Sequence, residues 1–261
     1  MINIIIFSRD RGAQLELLLR SMKIHFNEWK TSKINILYTY SNNLFNEGYK
    51  ITKKLHPEFN YKLEKNFKND LIPLIDKNKK FSVFFVDDII FKEDFSLFDD
   101  KIKILENDKN ILCLSLRLHP HLTYCYPARV KMVNPKPDEN NKFNWINKTG
   151  DYSYPMSLDG SIFRTNEILP ILLHLNYNNP NTLESRMASN PIQKPFMLMY
   201  EKSKIINNPA NKVQTFNENI HGNISAEFIN NQYLNGKKIS LKNSIGINNI
   251  SCHQEIDIIF D

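Results

Sequence analysis

The first half of the chain alternates short apolar runs with segments in which apolar residues recur every three or four positions. Short apolar runs are typical of buried β-strands, and the second pattern is typical of helices that cover a sheet. Strands are predicted at residues 2–7, 34–40, 60–63, 81–86 and 111–116. Helices are predicted from a cap at Asp10, over residues 43–55, around 69–75 and over 95–106. This alternation predicts an α/β fold with a mostly parallel, helix-covered sheet.

The second half of the chain is less regular. Residues 117–151 are rich in Pro, Asn and Tyr and are interpreted as a long functional loop region. A strand-like stretch at 152–163 precedes helices predicted over 166–175, from 180 with Asn179 as its cap, and over 225–234. Residues 236–261 are interpreted as a basic, loosely structured tail. The length fits one large domain or two small ones, and one domain over residues 1–261 is favoured.

Two adjacent acids, Asp87 and Asp88, directly follow the apolar run at 81–86. Ionised carboxylates at the end of a buried strand repel each other and lose hydration unless a cation or a ligand's hydroxyl groups compensate them. The alternative is a plain turn, where Asp is common. Apolar sequence resumes at once in Ile89–Phe91, however, where a surface turn should stay polar. The pair therefore favours a divalent metal that bridges to a phosphorylated substrate.

The charge of the chain limits its partners. It holds 34 Lys and Arg against 28 Asp and Glu, a net charge of +6 that favours anionic ligands. The lysines are scattered, so no nucleic-acid partner is expected. No apolar stretch approaches the ~20 residues that span a bilayer, and the first residues lack the pattern of a signal peptide. Since the three cysteines cannot all pair, a cytoplasmic protein with reduced thiols is expected.

Three parts of the sequence together resemble the GT-A glycosyltransferases, in particular the inverting, family-two-like enzymes that build bacterial surface polysaccharides. The first is the strand, loop and helix start at residues 5–21. The second is the acidic pair, which resembles the metal-binding Asp-x-Asp motif. The third is the stretch 157–164 together with 180–186, which looks like an acceptor strand followed by a helix that carries the catalytic acid. The resemblance covers most of residues 1–235.

The resemblance implies a GT-A-like (Rossmann-like) three-layer sandwich that moves a sugar from a nucleotide-sugar donor to a glycan or lipid-linked acceptor, with Mn²⁺ or Mg²⁺. Residues 1–116 would then form the nucleotide-sugar-binding half, and residues 117–235 the acceptor-binding half. Asp88 matches the last acid of the metal motif, Asp87 is assigned to ribose or metal-bound water, and Val86 stands where the first acid is usual. The implied donor-binding residues are Phe7, Ser8, Arg9, Arg11, Asp87, Asp88 and Arg117.

The same resemblance offers two candidates for the catalytic carboxylate, Glu184 and Asp159. An inverting displacement needs one carboxylate to deprotonate the acceptor hydroxyl. The family's usual Glu-Asp pair is reduced here to Glu184 alone. Each acid also has a simpler structural interpretation, because Glu184 suits the first turn of a helix and Asp159 suits a tight turn. Candidate acceptor-binding residues are Tyr124, Trp145 and Gly160, although core packing explains the two aromatic rings nearly as well.

Two other functions remain open at this stage. A nucleotide- or glycan-binding protein that lost its base would explain the missing acid, and a sugar nucleotidyltransferase would share the fold. Nucleotidyltransferases open with a glycine-rich phosphate loop, whereas residues 8–12 hold one glycine. His221 is a further candidate for the metal shell, with a solvated loop histidine as the alternative. A lipid-linked acceptor would imply peripheral association with the inner face of the membrane.

Overall fold

An eight-stranded mixed sheet forms the centre of the protein, seen in a computed structural model that describes residues 2–211, 222–244 and 246–261. The strands in chain order are β1 (Ile2–Arg9), β2 (Ile34–Thr39), β3 (Asn60–Leu63), β4 (Phe81–Val86), β5 (Ile89–Phe91), β6 (Ile111–Ser115), β7 (Tyr124–Cys125), β8 (Val130–Lys131), β9 (Lys142–Asn144), β10 (Ser161–Arg164), β11 (Phe196–Leu198) and β12 (Ile205–Asn207). The α-helices are α1 (Gly12–His25), α2 (Asn43–Leu55), α3 (Phe67–Leu71), α4 (Asp100–Asn107), α5 (Thr165–His174), α6 (Pro180–Ser189) and α7 (Ala226–Leu234). Short 3₁₀ helices lie at Ile72–Leu74 and Gly150–Ser153.

The order of strands in the large sheet is β3-β2-β1-β4-β10-β6-β11-β9. Pairing is parallel between β3, β2, β1 and β4 and between β6 and β11, whereas β10 and β9 run antiparallel to their neighbours. Two small sheets stand apart from it, β5 with β12 and β7 with β8. The mixed, mostly parallel α/β class that the sequence predicts is confirmed.

Alternating side chains of the central strands build a core on each face of the sheet. Ile4 and Ile6 of β1 pack with the apolar stripe of α1, which includes Leu15 and Leu18. Ile5 and Phe7 point to the other face, where α3, α5 and α6 contribute apolar side chains. Successive residues of a strand project to opposite faces, so a strand covered on both sides is apolar throughout. This explains the uninterrupted apolar runs and gives the three layers.

A third apolar cluster shows that the C-terminal residues are packed. The described residues between 236 and 261 form no helix or regular strand, yet Ile239, Leu241 and Ile256 are buried against α1 and α7. Asn207 and His253 form an isolated parallel bridge. The interpretation of residues 236–261 as a loose tail is therefore wrong, because apolar residues spaced without a period can still fill a core.

Several local predictions are corrected. Asp10 does not cap α1: its φ is +56°, and its Oδ1 accepts a hydrogen bond from the Ser41 backbone N at 2.6 Å. The helix expected over 95–106 covers Asp100–Asn107, and the strand-like stretch 152–163 contributes strand only from residue 161. The long loop region contains β7, β8 and β9, which are too short to show a period in the sequence. In the described parts of the chain, no helix has both the length and the apolar character needed to cross a bilayer.

Candidate active site

The strand ends that the sequence singles out meet at one edge of the sheet. Phe7 of β1 pairs with Val86 of β4, so the loop after β1 and the acidic pair after β4 lie side by side. The antiparallel strand β10 begins at the same edge, where Gly160 N donates to Phe84 O at 2.8 Å. Ligands of open α/β sheets bind outside the carboxyl ends of the parallel strands. A cavity of about 740 Å³ opens at this edge.

This cavity brings together the predicted donor-binding and catalytic residues. Its wall includes Phe7, Ser8, Arg9, Arg11, Asp87, Asp88, Arg117, Asp159 and Glu184. The remaining predicted residues lie elsewhere. Tyr124 pairs with Lys131 in the small β7–β8 sheet, and the Trp145 Nε1 donates to Lys194 O at 2.6 Å. Neither ring is among the described residues that line the cavity.

Gly160 also lies outside the cavity wall and has a structural explanation. Its φ is +76°, a left-handed conformation that side chains disfavour. A Cβ at this position would come within 2.2 Å of Ile205 Cδ1 and 3.3 Å of Phe85 Cε1. Glycine is therefore required for β10 to enter the sheet beside β4. His221, the candidate metal ligand, lies outside the described residues.

The acidic pair is bridged by Arg11. The Arg11 Nη1 donates to Asp87 Oδ1 at 2.9 Å and to Asp88 Oδ2 at 3.3 Å. Burial opposes ionisation of the guanidinium, but the negative charges of the two acids raise the pKa of Arg11 above its usual value. Burial also raises the pKa of Asp87, which the charge of Arg11 offsets in part. The side chain of Arg11 is thus a permanent cation placed between two carboxylates.

The other oxygens of the pair are bonded as well. Asp87 Oδ2 accepts from the Arg9 backbone N at 3.0 Å, and Asp88 Oδ1 accepts from Asn207 Nδ2 at 3.0 Å. All four carboxylate oxygens therefore already accept hydrogen bonds from the protein. The described residues also contain no group of three His, Cys, Asp or Glu side chains placed to hold a metal. The donor set at Asp87 and Asp88 does not fit the expected Mn²⁺ or Mg²⁺, because an arginine occupies the position of the cation.

Asp159 is the centre of a second charged cluster. Its Oδ2 accepts from Arg117 Nη1 at 3.2 Å and lies 3.4 Å from His253 Nε2. Arg117 also lies 3.4 Å from Asp151 through Nη2. Burial acts to raise the pKa of Asp159, but the hydrogen bond from His253 and the charge of Arg117 lower it below its usual range. Asp159 is therefore a buried carboxylate that stays ionised.

Glu184 has the opposite behaviour although it lies in the same cavity. Its Oε1 accepts from Leu158 N at 2.9 Å and from Ser157 Oγ at 3.1 Å. Burial and the negative charge of Asp159 raise the pKa of Glu184 to about 7. Two neighbouring carboxyl groups with pKa values driven apart are a common arrangement in sites of acid–base chemistry. Glu184 is the one that can exchange a proton near neutral pH.

Helix α6 positions Glu184. Asn179 Oδ1 accepts from Thr182 N at 2.8 Å, and Thr182 Oγ1 accepts from Asn179 N at 3.1 Å, which forms a capping box. Pro180 occupies the first turn, where its missing N–H costs nothing. The sequence predicts this start correctly. This start places Glu184 in the second turn of α6, close to the chain that leads into β10, so the interpretation of Glu184 as a first-turn acid is wrong.

The sequence analysis missed two polar residues of the site, His253 and Asn207. His253 reaches Asp159 because Asn207 N donates to Cys252 O at 3.0 Å and Gln254 N donates to Asn207 O at 3.0 Å. Asn207 in turn is the last residue of β12, where it pairs with Ile89 of β5, directly after the acidic pair. These contacts join positions far apart in the chain and leave no periodic signal. The buried Cys252 beside His253 was the available hint that this segment is packed.

Comparison with known proteins identifies one curated relative. The chain is 28% identical over 221 residues to the bifunctional glycosyltransferase pgtA of Dictyostelium discoideum. The match covers 74% of this chain but 29% of the relative, so the chain spans less than a third of that protein's length. No protein-family model matches the chain.

Solved structures of glycosyltransferases also match, at low identity. TarS of S. aureus matches with a TM-score of 0.44 and 13% identity, over 76% of this chain and 36% of TarS. A mannosyltransferase of Pyrobaculum calidifontis, solved with GDP-Man and Mn²⁺, matches with a TM-score of 0.43 and 9% identity, over 76% of this chain and 54% of that one. The resemblance seen in the sequence is thus confirmed by the curated relative: over 221 of its residues the chain is homologous to a glycosyltransferase.

Proposed function

We propose that the protein is a glycosyltransferase that moves a sugar from a nucleotide-sugar donor to a hydroxyl group of an acceptor. The observation that carries the proposal is the cavity at the carboxyl edge of the sheet, in which arginines and a carboxyl group with a pKa of about 7 face one space. Cationic side chains suit a diphosphate, and a carboxylate that titrates near neutral pH suits deprotonation of a hydroxyl. The curated relative belongs to the same class of enzyme.

The donor is assigned to the side of the cavity formed by β1 and β4. Arg9 is half-exposed, lies on the cavity wall, and pairs with Asp10 at 3.7 Å. Its guanidinium is available for charge-assisted hydrogen bonds to a diphosphate. Phe7 and Ser8 line the same side and are assigned to the nucleoside. This retains Phe7, Ser8 and Arg9 from the donor-binding residues that the sequence predicts.

Glu184 is proposed as the general base and Asp159 as its charged neighbour. In the transfer, the bond between the anomeric carbon and the diphosphate oxygen breaks, and its electron pair leaves with the diphosphate. The acceptor oxygen forms the new bond to the anomeric carbon while its proton passes to Glu184. Asp159, held by Arg117 and His253, stays ionised and raises the pKa of Glu184. A base with a pKa near the working pH combines sufficient ionisation with sufficient basicity.

The acceptor is proposed to be a glycan or a lipid-linked sugar, in the assembly of a surface polysaccharide on the cytoplasmic side of a membrane. Tyr126 and Tyr154 line the cavity together with Glu184. Aromatic rings can pack against the apolar face of a sugar. These two tyrosines replace Tyr124 and Trp145 as the candidates for acceptor contact.

The divalent metal expected from the sequence has no place among the described side chains as they stand. Asp88 is the carboxylate that the family pattern assigns to Mn²⁺ or Mg²⁺, and both of its oxygens are bonded to Arg11 and Asn207. No step of the transfer is therefore derived through a metal.

The test is a screen of nucleotide sugars for release of the nucleoside diphosphate and for transfer to glycan acceptors. The wild type should consume one class of donor, and Glu184→Gln should lower transfer by about 100-fold or more. Glu106→Gln is the matched control, since Glu106 lies on α4, is exposed at 42% of its side chain and pairs with Lys80. Its activity should equal that of the wild type.

Two results would contradict the proposed enzyme class, and a third would contradict only the assignment of the base. Binding of nucleoside diphosphates without turnover of any donor would indicate a binding protein. Release of pyrophosphate from a nucleoside triphosphate and a sugar phosphate would indicate a nucleotidyltransferase. Undiminished transfer by Glu184→Gln would leave the enzyme class intact and overturn the assignment of the base.

A further inference from the structure

Arg11 is fixed in place by more than the two acids. Its Nε donates to Asn211 Oδ1 at 2.8 Å, and its Nη2 donates to Asn211 O at 2.5 Å. Its backbone N donates to the hydroxyl of the buried Tyr49 at 3.2 Å. The residue is 9% exposed. Unlike a long surface side chain, Arg11 is thus held by hydrogen bonds at both its backbone and its guanidinium, so the fold fixes the position of the guanidinium.

The position of this guanidinium conflicts with a metal at the acidic pair. A Mg²⁺ ion would sit about 2.1 Å from its carboxylate ligands. The Arg11 Nη1 already lies 2.9 Å from Asp87 Oδ1 and 3.3 Å from Asp88 Oδ2. A divalent cation and a guanidinium on the same oxygens repel each other, and moving the arginine would break its bonds to Asn211. The single positive charge of Arg11 offsets part of the charge of the two carboxylates, and its guanidinium occupies the space that a metal would take.

We propose that Arg11 is the resident counter-ion of Asp87 and Asp88 in place of a divalent metal, and that the protein uses its nucleotide-sugar donor without Mn²⁺ or Mg²⁺. The second half rests on the proposed function; the first concerns the protein alone.

The charge that develops on the departing diphosphate is then met by side chains. Arg9 is the last residue of β1, two residues before Arg11, and its guanidinium lies 3.7 Å from the carboxylate of Asp10. Arg117 lies 3.2 Å from Asp159 and 3.4 Å from Asp151. Among the arginines on the described part of the cavity wall, Arg9 is therefore the one with the weakest carboxylate contact. A half-exposed guanidinium can form a bidentate contact with phosphate oxygens.

Metal binding by the free protein tests the first half without any substrate. Electron paramagnetic resonance of added Mn²⁺ should show no bound ion in the wild type. Arg11→Met keeps most of the aliphatic part of the side chain but removes the guanidinium and its charge, so that the buried Asp87 and the partly buried Asp88 are left adjacent. This variant should bind one equivalent of Mn²⁺, and Mn²⁺ should raise its lowered Tm. The double variant Arg11→Met with Asp88→Asn should neither bind Mn²⁺ nor be stabilised by it.

Arg20→Met is the matched control for removal of an arginine that pairs with a buried carboxylate. Arg20 Nη2 lies 3.0 Å from Oε2 of Glu16, a carboxylate that is 1% exposed, on α1 away from the acidic pair. It should gain no Mn²⁺ site. If Arg11→Met does not fold even with Mn²⁺, binding of Mn²⁺ to the wild type still tests the proposal. One Mn²⁺ bound by the wild type and not by Asp88→Asn would overturn it.

Turnover tests the second half. With the donor found in the screen, the rate of nucleoside diphosphate release should be the same in EDTA as in Mn²⁺ or Mg²⁺. Release that requires the metal would overturn this inference while the glycosyltransferase function stands. If no donor releases nucleoside diphosphate, with or without metal, the result would count against the proposed function and against donor use without metal. The Mn²⁺-binding measurement would still test whether Arg11 is the counter-ion of Asp87 and Asp88.

Discussion

The opposite pKa shifts of Glu184 and Asp159 are the clearest chemical property of single residues here. Burial raises the pKa of Glu184 to about 7 together with the charge of Asp159, whereas His253 and Arg117 keep Asp159 ionised. A base acts when deprotonated, so transfer under subsaturating donor should increase as the pH rises through about 7. A pH–rate profile checks this. A rate that stays constant from about pH 6 to about pH 8, roughly one unit on either side of that pKa, would contradict the assignment of Glu184.

The contact of His253 with Asp159 makes a separate prediction about stability. The pKa of His253 is raised from 6.5, so its contribution is complete below that pH and is lost as the pH rises through the raised value. The pKa of Asp159 is lowered from 3.8, so its contribution is present above that pH and is lost as the pH falls through the lowered value. The contact between His253 and Asp159 therefore stabilises the folded protein most between pH 3.8 and pH 6.5, the ordinary pKa values of the two groups.

His253→Gln should accordingly cost about 2 kcal/mol of unfolding free energy near pH 5.5, an approximate figure for a hydrogen bond between charged groups. The cost should shrink as the pH rises past the raised pKa of His253. Urea unfolding of both proteins across this range measures the difference. A cost that stays constant with pH would show that the imidazole acts through packing alone.

Prediction from sequence succeeded best for residues at strand ends. The acids and arginines after β1 and β4 meet because parallel strands end at one edge, a rule that needs only the order of strands. The sequence assigns Arg11 to donor binding, whereas its guanidinium bonds to Asp87 and Asp88. A single sequence does not reveal which opposite charges pair, because that depends on the folded distance.

At the scale of elements, β10 shows how backbone geometry forms the site. Gly160 combines a φ of +76° with a Cβ position 2.2 Å from Ile205 Cδ1. Gly160→Ala should therefore lower the unfolding free energy by about 2–4 kcal/mol through backbone strain and overpacking together. Gly236 is the matched control, with a φ of +85° and no atom within 4 Å of a built Cβ.

Gly236→Ala should lower the unfolding free energy by about 1 kcal/mol, because it adds backbone strain without overpacking. Denaturant unfolding of the two variants separates the contributions. Equal losses would mean that Ile205 gives way freely and that packing at the start of β10 is loose.

The capping box of α6 links an element to Glu184, the proposed base. Asn179→Ala removes the acceptor for Thr182 N and should cost about 1 kcal/mol. Because α6 carries Glu184, transfer should fall together with stability, and the donor affinity should be unchanged. Calorimetric binding of the nucleoside diphosphate alongside a transfer assay checks this. Transfer at the wild-type rate would show that Leu158 and Ser157 fix Glu184 without help from the cap.

Elements were predictable where the period of apolar residues was long enough. The bounds of α2, β3 and β4 agree with the sequence prediction, since each has a clear pattern and a clear stop. The strands β5, β11 and β12 have three residues each and were not predicted as strands. Tertiary pairing decides such short segments, and local sequence carries little information about it.

At the scale of the whole molecule, the C-terminal residues complete both a core and the site. Ile239, Leu241 and Ile256 fill the cluster against α1 and α7, and His253 reaches Asp159. Truncation after Gly236 should therefore lower the Tm and abolish transfer. Adding the missing segment as a peptide should restore part of both. A truncated protein with the wild-type Tm would contradict the packing described for these residues.

We propose that this cavity transfers sugar from a nucleotide donor with Glu184 as its base. The most direct measurement is release of nucleoside diphosphate and formation of the glycoside, from a panel of nucleotide sugars, by the wild type and Glu184→Gln in EDTA. The wild type should turn over one donor class, and Glu184→Gln should bind the same donor but transfer about 100-fold less. Equal transfer by both proteins, or binding of nucleotides with no turnover by the wild type in any condition, would contradict it.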